Sequence, residues 1–213
     1  MKPISFWSVA LLFFIATSLT SCNDSETVEE ISNEISTSDY LKEGKEIALA
    51  TKNVLGQNLM QAIQNGGIMN ALEFCNVQAI PLTDSMSVVL NAKVKRVSDK
   101  PRNQMNSASK EELEIMDRYI TMLKNKKTIQ PEMKTFEDYM VGYYPIETNS
   151  MCLQCHGKVG KDVALQTDKM IKKYYPSDKA TGYASNELRG LFVVEMQKKI
   201  DWIAFKALQS HHV

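Results

Sequence analysis

The sequence predicts an α+β domain in which helices pack on a small antiparallel sheet. Segments with the apolar periodicity of helices are separated by short strand-like segments, without the regular strand–helix–strand repetition of a parallel sheet. Of the 213 residues, 44% are hydrophobic and 23% are charged, as in ordinary folded proteins. We therefore expect one compact domain with extensions at its ends.

The first half of the domain is predicted to be helical. Asp39 is a suitable N-cap, and from there apolar residues keep close to a 3.6-residue period until the pair Gly66-Gly67 ends the pattern. A second helix follows at once, with Cys75 on its apolar stripe, and it is predicted to end near Pro81.

The second half contains the predicted strands. Ser109 and Glu112 have the spacing of a capping box, which predicts a helix over Lys110–Lys124. The remaining patterns predict a half-buried strand over Lys93–Val97, strand-like structure over 133–146, a helix over 162–175 ended by Pro176, and a strand over 191–196.

The N-terminus has the features of a bacterial export signal. Lys2 is the only charged residue among the first 21, and the apolar core that follows it is too short to span a bilayer of about 30 Å. The segment ends in Leu19-Thr20-Ser21-Cys22, which resembles the lipobox of lipoproteins. We expect residues 1–21 to be removed as a signal peptide and Cys22 to be lipidated. The alternative is an ordinary signal peptide followed by a coincidental cysteine.

The rest of the chain divides into a tether, the folded domain and a short tail. Residues 22–39 contain six acidic residues and no lysine or arginine, which is typical of a flexible, solvated segment, with a frayed helix over part of it as the alternative. The folded domain is predicted over 40–205, and residues 206–213 are expected to be frayed. The protein is therefore predicted to be exported and anchored to a membrane through its lipid, facing the periplasm or on the cell surface.

The charge balance argues against a nucleic-acid partner. The 25 lysines and arginines are matched by 25 aspartates and glutamates, so no basic excess attracts a phosphate backbone. The four cysteines are too few for a disulfide scaffold, and their positions are therefore more informative than their number.

The strongest chemical signal is the run Cys152-Leu153-Gln154-Cys155-His156, a Cys-X-X-Cys-His motif. Two thiols three positions apart can each form a thioether with one vinyl group of the same haem, and the adjacent histidine then lies under the iron. We therefore predict one covalent haem c, attached through Cys152 and Cys155, with His156 as the proximal iron ligand.

Three other chemistries use similar residues. A zinc site at Cys152, Cys155 and His156 is less favoured, because an adjacent cysteine and histidine strain a tetrahedral chelate and no second Cys-X-X-Cys is present. A thioredoxin-like dithiol would open a helix after a strand in a βαβ unit, whereas this pair follows the polar segment 147–150. A structural disulfide between Cys152 and Cys155 is the third alternative.

Four stretches of the sequence stand in a specific order and spacing: 71–75, 96–103 together with Asn106, 152–157, and 175–183 followed by 188–190. They resemble the haem-binding family long catalogued as a domain of unknown function. The likeness spans about residues 40–200. It implies a PAS-like α+β fold, in a family whose members occur alone or as sensor modules ahead of histidine kinases and chemotaxis receptors.

The resemblance also implies a distal iron ligand. In the family's haem site, the cysteine of the early helix binds the iron opposite the motif histidine, and the matching residue here is Cys75. From the residues alone, a single cysteine on an apolar stripe is more often a core thiol, and this alternative stays open, with a methionine as the next candidate ligand. His211 and His212 lie in the tail that is expected to be frayed.

Arg96, Arg102 and Asn103 resemble the family's Arg…Pro-Arg-Asn segment. They are candidate contacts of the haem propionates, because a guanidinium fork binds a carboxylate through two hydrogen bonds. The alternative is that they form a charged surface and a turn. Tyr183 and Arg189 are not selected as haem contacts.

These features predict a membrane-tethered monohaem protein similar to c-type cytochromes, acting in one-electron transfer or in redox or gas sensing. No kinase or receptor segment follows the domain, so sensing would need a separate signalling partner, and electron transfer would need a redox partner protein. A haem enzyme such as a peroxidase is less favoured, because it needs an acid–base residue beside an open iron site. We therefore expect no catalytic residues, with a haem enzyme or a zinc-binding structural module as the alternatives.

Overall fold

The computed structural model describes the backbone of residues 25–199 and the side chains of residues 37–199. The predicted signal peptide 1–21, the lipidation site Cys22 and the predicted tail 206–213 lie outside the described residues. Within the described range, no helix combines the length and the apolar character that crossing a membrane requires.

The first element is a long helix, α1 (Ser25–Val89), which is broken at Gly66 and Gly67. The predicted interruption at this pair is confirmed, and Gly67 has a φ of 69°, in the left-handed region that favours glycine. The predicted start at Asp39 is wrong, because the helix already includes residues 25–39. That segment belongs to the predicted flexible tether, but it contains neither glycine nor proline, so nothing in its sequence interrupts a helix.

The predicted end of the second helical segment near Pro81 is also wrong, because α1 continues to Val89. A proline inside a helix leaves the carbonyl four residues earlier without its hydrogen bond, and here that carbonyl belongs to Val77. Both Pro81 and Val77 are exposed, so this carbonyl lies on the side of the helix that faces water. Solvent therefore offsets much of the cost of the proline.

Four antiparallel strands of the described chain form one sheet in the order β1-β4-β3-β2. The last of these strands in sequence therefore pairs with both the first and the third. The predicted PAS-like α+β fold, with helices on a small antiparallel sheet, is confirmed. The strands are β1 (Lys93–Val97), β2 (Glu132–Thr135), β3 (Tyr139–Glu147) and β4 (Leu188–Gln197), and the helices among them are α2 (Lys110–Lys124), α3 (Leu153–His156) and α4 (Leu165–Tyr174).

Helix α2 begins where the capping box predicts. The Glu112 amide donates a hydrogen bond to the Ser109 hydroxyl at 3.3 Å, and the Ser109 amide donates one to the Glu112 carboxylate at 2.8 Å. The buried carboxylate of Glu112 also forms an ion pair with Lys95 of β1 at 2.7 Å. The cap therefore fixes both the start of α2 and its position against the sheet.

Both faces of the sheet are covered by helices. Successive strand residues point to opposite faces, so Val194 packs against α1 while Val193 packs against α2. A third, smaller cluster lies beyond the sheet and joins Leu72 of α1 to Ile171 of α4. The half-buried Cys155 packs against this cluster, which therefore connects α1 to the Cys-X-X-Cys-His segment.

Candidate functional site

A cleft of about 310 Å³ lies between the second half of α1, strands β1 and β4, and the segment that carries the Cys-X-X-Cys-His motif. Its lining is mainly apolar, which is typical of a pocket for an organic ligand or cofactor. The structure brings together every residue of the described chain that the sequence selects for the haem site. All of them line this cleft: Cys75, Arg96, Arg102, Asn103, Cys152, Cys155 and His156.

The motif segment folds as one helical turn, α3. Asn149 begins the turn, since its side-chain oxygen accepts hydrogen bonds from the amides of Met151 at 3.0 Å and Cys152 at 3.2 Å. The His156 amide donates to the Cys152 carbonyl at 2.9 Å. Residues three and four apart lie on one face of a helix, so Cys152, Cys155 and His156 share a face.

Gly157 follows the motif because a side chain does not fit at this position. A Cβ atom there would lie 2.7 Å from the carbonyl oxygen of Leu153 and 2.5 Å from the Cβ atom of Asp162. The Gly157 amide closes the turn on the Leu153 carbonyl at 2.9 Å, and its own carbonyl accepts the Gly182 amide at 2.9 Å. The turn thus packs directly against the loop 180–183.

His156 is held in one orientation by that loop. Its ring Nδ1 lies 2.7 Å from the carbonyl oxygen of Ala180, and its ring is nearly perpendicular to that of Tyr183, with 6.4 Å between the centroids. The Tyr183 amide also donates to the His156 carbonyl at 2.9 Å. Because a carbonyl oxygen only accepts, Nδ1 carries the proton and Nε2 keeps a free lone pair, as in metal-binding histidines.

The surroundings of His156 keep the imidazole neutral. Burial lowers its pKa well below the ordinary value, and the positive charges of Arg189 and Arg102 lower the pKa further. The hydrogen bond to Ala180 acts in the opposite direction and is a smaller effect. The imidazole is therefore uncharged at neutral pH, which is the form that binds metals.

Cys75 lies on the α1 wall of the cleft, and its thiol is free. Burial raises the pKa of this thiol and the neighbouring Cys155 raises it further, while Arg96 and Arg102 act in the opposite direction. Cys152 and Cys155 are free thiols as well. The described residues contain no cluster of three or more histidine, cysteine, aspartate or glutamate side chains placed to hold a metal ion by themselves.

Arg102 ties the motif segment to the loop that follows α4. Its Nε donates to the Asp178 carboxylate at 3.1 Å, and its Nη2 donates to the carbonyl oxygens of Cys155 at 2.6 Å and Ala180 at 3.3 Å. We call this set of bonds the Arg102 clasp. The side chains of Arg102 and Asp178 are only 10% and 7% exposed, so the ion pair is buried. Arg102, a predicted propionate contact, is thus already engaged by protein groups.

Asn103 lines the cleft, but its side-chain oxygen is also engaged within the protein. This oxygen accepts the Met105 amide at 3.0 Å and so caps the short 3-10 helix Gln104–Asn106. Asn103 therefore forms a turn, which the sequence analysis gives as the alternative to a contact with a haem propionate.

Two other arginines of the cleft have polar atoms without partners. Arg96 donates from Nη2 to the Ala79 carbonyl at 3.4 Å, and Arg189 donates from Nη1 to the Ser98 hydroxyl at 2.8 Å. The Nε atoms of both arginines are buried without a hydrogen-bond partner. Burial lowers the pKa of both guanidinium groups.

Arg189 is a cleft residue that the sequence reasoning does not select. Its signal in the sequence is its place in the stretch 188–190, which contributes to the family resemblance. Its approach to the cleft depends on Gly190, where a Cβ atom would lie 2.4 Å from the carbonyl oxygen of Val97. The glycine lets β4 approach the end of β1 closely, and this brings Arg189 beside Ser98.

Comparison with known proteins places the chain in a family. The sequence profile of the family described as Tll0287-like: Tll0287 matches residues 22–197. Among solved structures, the crystal structure of the cyanobacterial heme-protein Tll0287 matches with a TM-score of 0.47 and 19% identity, over 71% of this chain and 95% of that chain. A likeness at this level carries no argument about function. No curated protein matches the chain significantly. The family resemblance of the four sequence stretches is confirmed by the profile match: the chain belongs to the Tll0287-like family.

Proposed function

We propose that the cleft binds one haem covalently, through thioether bonds to Cys152 and Cys155, with His156 as an axial ligand of the iron. The observation that carries this proposal is the placement of the motif: its side chains share one helical face at an apolar cleft, and His156 has its Nδ1 bonded to a carbonyl. The family to which the chain belongs bears the name of Tll0287, which is described as a heme-protein.

The residues of the cleft fit such a group. Cys152 and Cys155 are free thiols, as thioether formation requires, and the Nε2 lone pair of His156 is available. The apolar side chains of the lining suit the face of a porphyrin, and they include Leu55, Leu59, Ile63, Ile68, Leu72, Ile146 and Phe192. When bound, haem supplies a centre that takes up and releases one electron.

Cys75 is the proposed second axial ligand. It lies on the α1 side of the cleft, and its sulfur has no disulfide partner. Burial and the neighbouring Cys155 raise the pKa of this thiol, and Arg96 and Arg102 offset only part of that rise. A thiolate ligand would therefore need the positive charge of the iron to replace the proton. A methionine or a water would be the ligand if Cys75 is a core thiol.

The function that this site supports best is one-electron transfer or redox sensing by an exported, lipid-anchored protein. If His156 and Cys75 both held the iron, no iron position would be left open for a substrate. The acid that lines the cleft, Glu147, is exposed, and His156 is assigned to the iron. An electron-transfer partner or a separate signalling protein would then act on the rim of the cleft.

The attachment test compares cysteine variants after export with a haem-maturation system. We expect the double variant Cys152→Ala with Cys155→Ala to lose the haem band on a denaturing gel stained for haem, because no thioether can form. Cys75→Ala is the matched control, since it removes a thiol from the same cleft and should keep the band. A wild-type protein without a haem band, or one that contains stoichiometric zinc, would overturn the proposal.

The ligation test uses Cys75→Ser in the haem-loaded protein. A thiolate ligand favours Fe(III), so its loss should raise the reduction potential and move the ferric spectrum from low spin towards high spin. Both quantities are read by a spectroelectrochemical titration. An unchanged potential and ferric spectrum would show that Cys75 is a core thiol and that another group completes the iron coordination.

Exposure of the reduced protein to CO and NO separates the two functions. With two protein ligands on the iron, we expect slow or absent formation of gas complexes, as suits electron transfer. Rapid complex formation would favour gas sensing.

The anchoring test concerns Cys22. Cys22→Ala should release the mature body from membranes or leave an uncleaved precursor, because the acyl chains have no attachment point. Membrane fractionation reads the result, and a wild type that is cleaved without being lipidated would contradict the lipoprotein assignment.

A further inference from the structure

Arg96 and Arg189 lie at the same end of two paired strands, where Arg96 is opposite Phe192 and Arg189 is three positions further along β4. Arg96 is on β1 and Arg189 is on β4, and both line the cleft. Each uses one terminal nitrogen for a bond to the protein, and each has a buried Nε without a partner. Two orphaned guanidinium donors in one cleft are uncommon, because buried polar groups are nearly always hydrogen-bonded.

No carboxylate of the described residues forms an ion pair with either arginine. The arginine ion pairs among residues 37–199 are Arg102 with Asp178 and Arg118 with Glu132. Asp178 and Asp99 both act electrostatically on Arg189, but Asp178 is engaged by the Arg102 clasp and Asp99 forms no ion pair with either arginine. Both arginines are half-buried, and a guanidinium group that is partly withdrawn from water without an ion-pair partner is costly to the folded state. The cleft therefore favours a negatively charged ligand.

We propose that Arg96 and Arg189 form a carboxylate-binding subsite that holds the propionate groups of the haem, and that Arg102 takes no part in it. This inference rests on the proposed function. A guanidinium group presents its donors as a planar fork that matches a carboxylate, and Nε is one of the donors of that fork. We therefore expect each unpaired Nε to donate a hydrogen bond to one carboxylate.

The position of Arg189 is fixed in advance by its neighbours. Its Nη1 donates to the Ser98 hydroxyl at 2.8 Å, and the Ser98 hydroxyl donates to the Arg189 carbonyl at 2.9 Å. Its guanidinium carbon lies 5.5 Å from the ring centroid of Tyr183, which also contacts His156. Tyr183 thus lies against both the proposed carboxylate subsite and the proposed iron ligand.

The test uses the haem-loaded full-length protein, in which the thioether bonds retain the haem when a carboxylate contact is lost. Arg96→Gln and Arg189→Gln should each shift the propionate bending bands in the resonance Raman spectrum and lower the reduction potential. The potential falls because removal of a nearby positive charge favours the more positive Fe(III) form. The double variant should show a larger shift of both readouts.

Two controls separate a direct contact from a general charge effect. Arg118→Gln removes the same charge from an exposed ion pair away from the cleft, and it should leave both readouts at wild-type values. Arg189→Lys keeps the positive charge but loses the planar fork of donors. The reduction potential should therefore be close to the wild-type value, while the propionate bands should be shifted as in Arg189→Gln. The lysine variant also serves as the test if the glutamine variants do not fold.

Propionate bands and potentials that remain at wild-type values in the Arg96 and Arg189 variants would overturn the proposal. The proposal would also be overturned if Arg102→Gln shifted the propionate bands and the Arg96 and Arg189 variants did not. Failure of the proposed function is a different observation, because the wild type would then show no haem band on the denaturing gel.

Discussion

The sheet core and the cleft differ in whether their buried polar side-chain atoms have hydrogen-bond partners. In the core, the hydroxyl of Tyr119 donates to the Gln130 carbonyl at 2.7 Å and that of Tyr144 donates to the Leu41 carbonyl at 3.1 Å. Beside the cleft lie the three unpartnered buried polar side-chain atoms of the described residues: Arg96 Nε, Arg189 Nε and the Tyr183 hydroxyl.

This difference shows which part of the protein is complete without a ligand. The core buries Ile115, Met116 and Leu191 almost entirely, and it satisfies its few polar groups internally. The cleft leaves donors unpaired in a region where the free energy of an unmade hydrogen bond is high. Sites of this kind are expected where function, rather than stability, has selected the residues.

The Arg102 clasp is the exception within the cleft region, and breaking it should give the largest loss of stability. Arg102→Met leaves the Asp178 carboxylate buried without its partner, which typically costs about 3–5 kcal/mol in the free energy of unfolding. Urea unfolding of the haem-loaded protein measures this loss. The control Arg118→Met breaks an ion pair that is about half exposed and should cost about 1 kcal/mol or less. Equal losses in the two variants would contradict a buried, structural clasp.

The second comparison sets a core residue against a cleft residue of the same type. Ile115→Ala should cost about 2–5 kcal/mol, because Ile115 is fully buried and its removal leaves a cavity. Ile63→Ala should cost clearly less, since Ile63 is only half-buried and already borders the cleft. Urea unfolding of both haem-loaded variants gives the two values. If Ile63→Ala cost as much as Ile115→Ala, the cleft would be part of the core that holds the fold together.

The smallest expected effect concerns the start of α2. Ser109→Ala removes the hydroxyl that accepts the Glu112 amide, and loss of such a cap typically costs about 1 kcal/mol. Thermal unfolding should detect this loss while the haem spectrum stays unchanged, because the cap lies on the α2 side of the sheet. Ser85→Ala is the control, since the exposed Ser85 hydroxyl only bonds back to the Pro81 carbonyl within α1. A change in the haem spectrum of Ser109→Ala would show that the two regions are coupled.

The parts of the fold that the sequence predicts well are those encoded locally. The capping box of Ser109 and Glu112 and the turn of the motif both depend on residues three or four apart, so the pattern itself specifies the contacts. The end of α1 is missed because the cost of Pro81 depends on whether water reaches the Val77 carbonyl, which only the packed structure shows.

Contacts between distant segments are the part of the site that the sequence does not reveal. The sequence alone gives Arg96, Arg102 and Arg189 the same chemistry. Their difference arises because Asp178 forms an ion pair with Arg102, whereas no carboxylate among residues 37–199 forms one with Arg96 or Arg189. The partner of Arg102 lies 76 residues away in the chain, and no short pattern encodes that pairing.

The central position of β4 has a consequence for the order in which the protein forms. β4 is the last described strand, yet it separates β1 from β3, so the sheet remains two unconnected pieces until residues 188–197 are in place. The motif cysteines precede β4 by more than 30 residues in the sequence. Because Arg189 belongs to β4, the part of the cleft wall that contains Arg189 forms only when β4 joins the sheet. If the chain is exported from its N-terminus and carries covalent haem, as we propose, the thiols emerge before the cleft can close around them, and an attaching enzyme would have access to an open chain.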